Sequence, residues 1–367
     1  MAERKRAVAD MVKSMLDFYK GKRVFITGHT GFKGSWLCAM LSMAGAQVTG
    51  FALPPEHPSL HEAAGLEEKI SHFYGDIRDF DPLWTAFQKA KPEIVFHMAA
   101  QPIVRESYRD PVGTYQTNVM GTVHILECVR RSGCVKSLLN VTTDKVYENR
   151  NWPWGYREKD RLNGFDPYSN SKSCSELVTD SYRNSFFSGQ DTAISTARAG
   201  NVIGGGDFAA DRIIPDCICY AQAHKPIPIR NPDSVRPYQH VLEPLSAYLL
   251  IAQRQYEDHT LAGCYNVGPE SCGCLTTGAL ASLFCQVWGD GACWERAGET
   301  GPHEDALLKL DCSKITAVLG WRPRWTAARA IEETVNWTKA WMDGADLTVF
   351  MEKQIERFLG EQYGTIH

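Results

Sequence analysis

Near the start of the chain, an apolar run, three evenly spaced glycines and a second apolar run follow one another. Residues 23–27 (RVFIT) have the apolar, β-branched composition of a buried strand, and residues 35–42 (SWLCAMLS) are typical of a buried helix. Gly28, Gly31 and Gly34 lie between them. In this order the glycines permit a tight turn, close approach of a pyrophosphate to the backbone, and tight packing of helix on sheet, while the first helical amides receive the phosphates. The stretch therefore predicts a dinucleotide-binding unit.

Strand and helix patterns alternate along most of the remaining chain. Residues 94–100 (IVFHMAA) and 192–196 are predicted buried strands, and residues 111–132 have the pattern of an amphipathic helix that ends at Gly133. A chain of 367 residues is long enough for one large domain and a smaller companion. We predict an α/β fold, with a Rossmann-type doubly wound parallel sheet and a smaller C-terminal α/β substrate domain. The predicted boundaries are a helical extension at 1–20, a Rossmann domain at 21–198 that the chain re-enters at about 236–262, and a substrate domain at 199–235 and 263–367.

Charge and cysteine usage exclude several classes of partner. A net charge of −4 and a pI near 6.3 argue against nucleic acid and anionic membranes as partners. No apolar run approaches the length that spans a bilayer, and residues 1–20 lack the apolar centre of a signal peptide, so we expect a cytoplasmic protein. The twelve cysteines include no C-x-x-C pair and no Cys/His quartet at zinc spacing. We therefore expect reduced thiols and no metal.

The predicted second strand, residues 47–53, lacks the terminal acid that usually holds the ribose hydroxyls of NAD. The first acid is Glu56, three residues later, so we expect adenosine contacts from His29, Lys33 or Glu56. His97 lies inside an apolar strand and is expected to be a core residue. Other predicted cofactor contacts follow strands: Asp76, Ile77, Ala99 and Ala100.

A second group of chemically active residues lies in two segments farther along the chain. Residues 140–147 (NVTTDKVY) change abruptly from apolar to polar after Thr142, and polar groups at the carboxyl end of a buried strand are typical of a site. Tyr168 and Lys172, four residues apart behind a turn at 164–167, share one face of a predicted helix. A nearby ammonium favours the phenolate, so this pair predicts a base at neutral pH. Of the fourteen tyrosines, only Tyr168 has a lysine four residues later.

Three further groups follow the same strand. Thr143 can hold a substrate hydroxyl, and Asp144 and Lys145 add an acid and a base within one turn of chain. A simple oxidation needs fewer groups than these five.

The motifs together resemble a known superfamily. The three glycines, the HMAAQ segment 97–101, Thr114 with Asn118, Thr143, and the Tyr168/Lys172 pair are similar to the extended short-chain dehydrogenase/reductases. The order Thr143–Asp144–Lys145 resembles nucleotide-sugar 4,6-dehydratases rather than 4-epimerases, which have small residues after the hydroxyl. More closely, five segments resemble the dehydratases that act on CDP-glucose, namely 28–36, 144–145, 199–207, 211–215 and 234–244. The similarity extends from about residue 21 to 341.

The resemblance implies bound NAD, CDP-glucose as substrate, and loss of water from the sugar by internal hydride transfer. Tyr168 with Lys172 would take the proton from the 4-hydroxyl, Thr143 would orient that hydroxyl, and Asp144 would protonate the leaving 6-hydroxyl. Lys145 stands where related enzymes carry Glu; it would either remove the proton on carbon 5 or steady the enolate. Cofactor contacts are also implied for the glycines and for Thr30, Phe32, Lys33, Asn118, Tyr168 and Lys172, and substrate contacts for Gln101, Asn201, Arg212, Arg236 and His240.

Assembly and alternative activities complete these expectations. The helices near 112–132 and 168–186 are those that the family pairs in a dimer-forming bundle, so a homodimer or a dimer of dimers is expected. The alternative activities are a nucleotide-sugar 4-epimerase, a 4,6-dehydratase for another nucleotide sugar, or a non-catalytic NAD-binding protein on the same scaffold.

Overall fold

The computed structural model describes residues 15–270, 273–298 and 307–360. Seven of its strands form one parallel sheet, and six short strands form three two-stranded pairs. In chain order the strands are β1 (Arg23–Thr27), β2 (Gln47–Ala52), β3 (Ser71–Tyr74), β4 (Ile94–His97), β5 (Ser137–Thr143), β6 (Ala193–Ala199), β7 (Val202–Ile203), β8 (Ile227–Ile229), β9 (Val235–Arg236), β10 (Gln239–His240), β11 (Cys264–Val267), β12 (Leu275–Thr276) and β13 (Trp294–Arg296).

Helices cover both faces of the large sheet, and further helices belong to the second part of the molecule. In chain order they are α1 (Phe32–Met43), α2 (Leu60–Ala63), α3 (Phe80–Ala90), α4 (Val104–Arg109), α5 (Pro111–Tyr115), α6 (Gly121–Ser132), α7 (Pro167–Phe186), α8 (Ile213–Gln222), α9 (Leu242–Glu257), α10 (Thr277–Trp288), α11 (Ser313–Leu319), α12 (Ala327–Met342) and α13 (Leu347–Gly360). Single turns of 3₁₀ helix occur at Leu66–Glu68, Asp144–Val146 and His259–Leu261.

The order of the large sheet is β11-β6-β5-β4-β1-β2-β3, and every neighbouring pair is parallel. The chain builds outward from β1 to β3, then crosses back to β4 and builds outward in the other direction. Ligands of open α/β sheets bind outside the carboxyl ends of the strands at such a switch point. The predicted Rossmann-type sheet is confirmed, and its cleft lies between the ends of β1 and β4.

Side chains alternate between the two faces of each strand, and each face has its own core. Phe25 packs with Phe87 and Ile125 beneath α3 and α6, whereas the next residue, Ile26, packs with Leu37 and Leu249 beneath α1 and α9. Parallel strands need both faces covered, which explains why the strands read as continuous apolar runs rather than as alternating ones.

The long helix predicted at 111–132 is present, with one irregularity. The five residues Gln116–Met120 form a π turn between α5 and α6, and Gly133 ends the helix with φ of 63°. The helix predicted behind the 164–167 turn is α7; Pro167 is in its first turn, and Asp166 accepts a hydrogen bond from the Ser169 amide over 2.9 Å.

The second part of the molecule has a smaller core of its own. Ile214, Leu280, Phe284 and Ile331 of α8, α10 and α12 pack together beside the two-stranded pairs. Strand β11 belongs to the large sheet, so the return of the chain reaches Val267, beyond residue 262. The division into two domains otherwise stays a prediction.

Residues 15–19 are helical and pack against the large domain. Met15 is buried, and the Tyr19 hydroxyl donates a hydrogen bond to the Leu249 carbonyl over 2.6 Å. The rest of the extension predicted at 1–20 lies outside the described residues. Among the described helices, none is both long enough and apolar enough to cross a membrane.

Candidate active site

The glycine turn after β1 is shaped so that little but backbone fits. Gly28 has φ of +78°, and a Cβ there would lie 2.8 Å from the Ala99 amide nitrogen. A Cβ on Gly34 would lie 2.1 Å from the Gly28 carbonyl oxygen, whereas one on Gly31 would meet only that same oxygen at 3.5 Å. Gly28 and Gly34 are therefore needed for close contacts within the protein, whereas Gly31 leaves the backbone open to a ligand. These residues fit the pyrophosphate of a dinucleotide.

Below the turn, a chain of buried hydrogen bonds fixes the end of β4. Thr27 Oγ1 accepts from the Met98 and Ala99 amides over 3.1 and 3.2 Å and pairs with His97 Nδ1 at 2.8 Å. His97 Nε2 in turn pairs with Thr122 Oγ1 at 3.2 Å. Burial lowers the pKa of His97 to about 3, so the ring is neutral. His97 is the core residue that the sequence predicts.

Asn118 is a positioning residue rather than a lining residue of the cleft. It is 1% exposed, and its amide is used entirely inside the protein. It accepts from the Gln101 amide over 2.9 Å and donates to the Gln101 carbonyl and to Ser171 Oγ over 3.1 and 2.9 Å. The Gln101 side chain is likewise engaged by Thr114 and Ile103. Both side chains therefore hold the loop after β4, Asn118 against α7, and their predicted ligand contacts stay predictions.

Two of the three predicted adenosine contacts also need correction. His29 is completely buried and cannot reach an adenosine. Lys33 belongs to the opposite end of the cleft, where burial and the charges of Arg212 and Lys172 lower its pKa to about 8. Glu56 is exposed. At the adenine end, Asp76 accepts from Arg78 Nε over 2.9 Å, and the Ile77 carbonyl accepts from His124 Nδ1 over 2.9 Å.

The catalytic candidates from β5 and α7 converge at the carboxyl end of the sheet. Thr143 is the last residue of β5, and Asp144 opens the 3₁₀ turn that follows. Thr143 Oγ1 donates to Asp144 Oδ1 over 3.0 Å, and the Tyr168 hydroxyl is hydrogen-bonded to Thr143. Thr143 therefore interacts with both the Tyr168 phenol and the Asp144 carboxyl group. The segments 140–147 and 164–172 predict that these groups lie at one place.

Asp144 is a buried acid with several cationic side chains nearby. It is 2% exposed, and burial raises its pKa against the opposing charges of Lys145, Arg236 and Lys33. Its second oxygen, Oδ2, has no hydrogen-bond partner among the described residues. Burial therefore favours the protonated carboxyl group, which is the form that can donate a proton.

Tyr168 and Lys172 both lie on α7, four residues apart, and burial shifts the pKa of each. Burial raises the pKa of Tyr168 to about 12, while the neighbouring Thr143 hydroxyl and the charge of Arg212 oppose the increase. Lys172 Nζ instead donates to the Val141 carbonyl of β5 over 3.2 Å, and burial lowers its pKa to about 8. The lysine ammonium therefore lies against the end of β5, and its effect on the phenol stays a prediction.

A buried network behind the catalytic strand was not predicted. Glu176 accepts from Thr196 Oγ1 over 2.7 Å and from Arg198 over 2.8 Å, and it also accepts from Thr142. Arg198 donates to the Tyr147 hydroxyl over 2.8 Å. Since Glu176 lies four residues after Lys172 and eight after Tyr168, its place on the same helical face was a signal that could have revealed it.

The residues predicted to bind the substrate are divided between cleft and core. Arg236 is close enough to Asp144 to act on its charge, and Arg212 pairs with Asp207 over 2.9 Å beside Lys33. Asn201 is partly buried just after β6. His240 is completely buried, with its ring 4.8 Å from that of Trp325 and within 3.4 Å of the Gln354 amide. The predicted substrate contact of His240 is therefore wrong, because α12 and α13 cover it.

Comparison with known proteins identifies the family. The family model described as GDP-mannose 4,6 dehydratase matches residues 25–334. A CDP-glucose 4,6-dehydratase of Salmonella typhimurium is 49% identical over 350 residues, which cover 94% of this chain and 98% of that protein. Among solved structures, an epimerase of Methanothermobacter thermautotrophicus matches with a TM-score of 0.80 at 22% identity, covering 94% of this chain and 98% of that one. A dTDP-glucose 4,6-dehydratase of Streptomyces venezuelae, solved with NAD and TYD bound, matches with a TM-score of 0.76 at 23% identity, covering 88% and 98%. The chain belongs to the nucleotide-sugar 4,6-dehydratase family.

Proposed function

We propose that this protein converts CDP-glucose to CDP-4-keto-6-deoxyglucose and water, with NAD as a bound cofactor that is restored in each cycle. The observation that carries the proposal is the convergence of Tyr168, Thr143 and the buried Asp144, whose pKa is raised, beside the dinucleotide turn. An oxidation alone needs the phenol and the threonine. The buried acid supplies the further proton that loss of water requires.

The reaction at carbon 4 uses Tyr168 and Thr143. Bound NAD supplies the hydride acceptor and donor that oxidation at carbon 4 and reduction at carbon 6 need. Tyr168 receives the proton of the 4-hydroxyl, and Thr143 orients that hydroxyl by hydrogen bonding. Lys172, held on the Val141 carbonyl, keeps a positive charge at the carboxyl end of β5.

Loss of water uses Asp144 and Lys145, the two residues after Thr143. A ketone at carbon 4 acidifies the proton on carbon 5, so elimination across carbons 5 and 6 becomes feasible. Asp144 gives its proton to the leaving 6-hydroxyl, and its unpartnered Oδ2 is available for this contact. Lys145 follows Asp144 in the same 3₁₀ turn; it takes the proton from carbon 5 and returns it there when carbon 6 is reduced.

The nucleotide end of the substrate is assigned to the cationic side of the cleft. Guanidinium groups bind phosphate oxygens in a bidentate manner. Arg236 is near Asp144, and Arg212 is near Lys33. Cytidine as the base is supported by the 49% identical relative, whose name specifies CDP-glucose.

Parallel incubations with CDP-glucose, dTDP-glucose and GDP-mannose, each with added NAD, test the proposal. We expect a product lighter by one water and absorbing in base as a 4-ketone sugar, with CDP-glucose as the preferred substrate. A product of unchanged mass would instead indicate a 4-epimerase. Turnover of another nucleotide sugar in preference to CDP-glucose would reassign the base specificity.

We also infer a homodimer formed through α5–α7. Five large apolar side chains on these helices and the π turn are exposed: Val112, Tyr115, Met120, Leu177 and Phe186. Leu177→Lys should convert the dimer to monomer in light scattering, whereas Val318→Lys, at an exposed valine of α11, should not. A monomeric wild-type protein would contradict this assignment.

A cytoplasmic location and a role in supplying deoxysugars for lipopolysaccharide O-antigen belong to the same proposal. The eleven cysteines that the structure describes are free thiols, which suits a reducing compartment.

A further inference from the structure

Three histidines from separate parts of the chain meet beneath the dinucleotide turn. His29 follows Gly28, His61 lies in α2, and His72 lies in β3. One ring nitrogen from each lies within 4.8 Å of the others. His29 and His61 are completely buried, and His72 is partly buried.

Three ring nitrogens of this histidine cluster have no hydrogen bond within the described part of the chain. Both ring nitrogens of His61, and Nδ1 of His29, have no hydrogen bond among the described residues. Buried polar atoms without a partner are rare, and each needs a physical explanation. Gly50 makes the space, because a Cβ there would come within 2.2 Å of the His29 ring.

Hydrogen bonds orient the third ring toward the other two. His72 Nε2 lies 2.7 Å from the Glu67 carbonyl, which can only accept, so this nitrogen carries the hydrogen. Its Nδ1 lone pair therefore faces His29 Nε2 at 3.3 Å. A histidine that donates one nitrogen to a carbonyl and presents the other is typical of a metal ligand. Two nitrogens on a tetrahedral zinc ion with Zn–N of about 2.0–2.1 Å are also about 3.4 Å apart.

We propose that His29, His61 and His72 bind one divalent transition-metal ion, with zinc as the test ion. Glu67 offers a fourth ligand, since its Oε2 lies 3.4 Å from His61 Nε2. The ion would tie the dinucleotide turn to α2 and β3. This site is independent of the proposed reaction.

Zinc content of the full-length, tag-free protein tests the site directly. After incubation with ZnCl₂ and dialysis, we expect one zinc per chain by atomic emission, a higher melting temperature than after EDTA treatment, and the visible spectrum of a tetrahedral site when Co²⁺ replaces zinc. Equal melting temperatures with zinc and with EDTA, together with no retained metal, would overturn the proposal.

Matched variants locate the ion. His61→Leu removes a ligand and fills similar space, so it should lose the zinc and the zinc-dependent rise in melting temperature. His224→Asn, at an exposed position, should keep both. If His61→Leu is insoluble, His72→Gln at the partly buried ligand serves instead. Zinc retained equally by a ligand variant and by wild type would assign the metal to other groups, such as the thiols, and refute the cluster as its site.

Discussion

Thr143 donates a hydrogen bond to Asp144 over 3.0 Å, and the same Thr143 hydroxyl also interacts with the phenol of Tyr168. The proton acceptor for the 4-hydroxyl and the proton donor for the 6-hydroxyl are thus linked through one side chain. The sugar ring must lie across this group for both protons to move, which makes the two halves of the proposed reaction sensitive to different substitutions.

Asp144→Asn should remove the proton donor while keeping the shape of the site. We expect the formation of 4-keto-6-deoxy product to slow by roughly a hundredfold to ten-thousandfold. Asp343→Asn, at an exposed position after α12, should leave the rate unchanged. Rates are measured by the base-induced absorbance of the product, and a near-normal rate in Asp144→Asn would remove the acid from the mechanism.

Lys145→Met tests the base at carbon 5. In deuterated water, the wild-type protein should exchange the proton on carbon 5 during turnover, and the variant should do so roughly a hundredfold more slowly. Lys225→Met, an exposed lysine remote from the cleft, is the matched control. Exchange at the wild-type rate in Lys145→Met would leave this lysine only the role of steadying the enolate.

Two glycines of the dinucleotide turn should respond differently to the same added methyl group. Gly34→Ala sets a Cβ 2.1 Å from a backbone oxygen that cannot rotate away, so we expect a loss of about 1–3 kcal/mol in the free energy of unfolding. Gly31→Ala meets nothing closer than 3.5 Å and should change that free energy by less than about 0.5 kcal/mol.

The dinucleotide should nevertheless bind more weakly to Gly31→Ala, because its methyl group stands on the open side of the turn. Denaturant melts and NAD titrations separate the two effects. Equal stability losses in both variants would contradict the assigned contacts.

Glu243 should make stability depend on pH. It is fully buried and accepts the Arg324 and Trp325 amides over 2.7 and 2.6 Å, and burial raises its pKa from 4.5 to about 7. A raised pKa in the folded protein means that its contribution is fully present below pH 4.5 and is lost as pH rises through about 7.

Glu243→Gln keeps an acceptor for both amides and cannot ionise. Relative to wild type, it should gain up to about 3 kcal/mol of unfolding free energy above about pH 8 and little below pH 4.5, at 1.36 kcal/mol per pKa unit. Urea melts across this range measure the difference, and parallel curves for the two proteins would show that Glu243 does not titrate in it.

Local sequence signals were sufficient for the parts of the fold that depend on neighbouring residues. The glycine turn, the β5 strand ending at Thr143 and the start of α7 at Pro167 follow from spacing and turn chemistry within a few residues of each position. The Tyr168/Lys172 face follows from helical periodicity.

Errors arose where distant segments decide exposure and direction. His240 is covered by Trp325 and Gln354, both more than eighty residues later in the chain, and no local pattern predicts this cover. The histidine cluster was missed for the same reason, since its members are at positions 29, 61 and 72, outside any short ligand spacing.

The core on the α1 side of the sheet draws on the chain from Met15 to Leu359, and α13 contributes Met351, Ile355 and Phe358 to it. A fragment that ends after the last strand of the large sheet would leave Trp36 and its neighbours uncovered. The end of the chain is therefore a structural part of the dinucleotide-binding side, and removing α13 would expose that core to water.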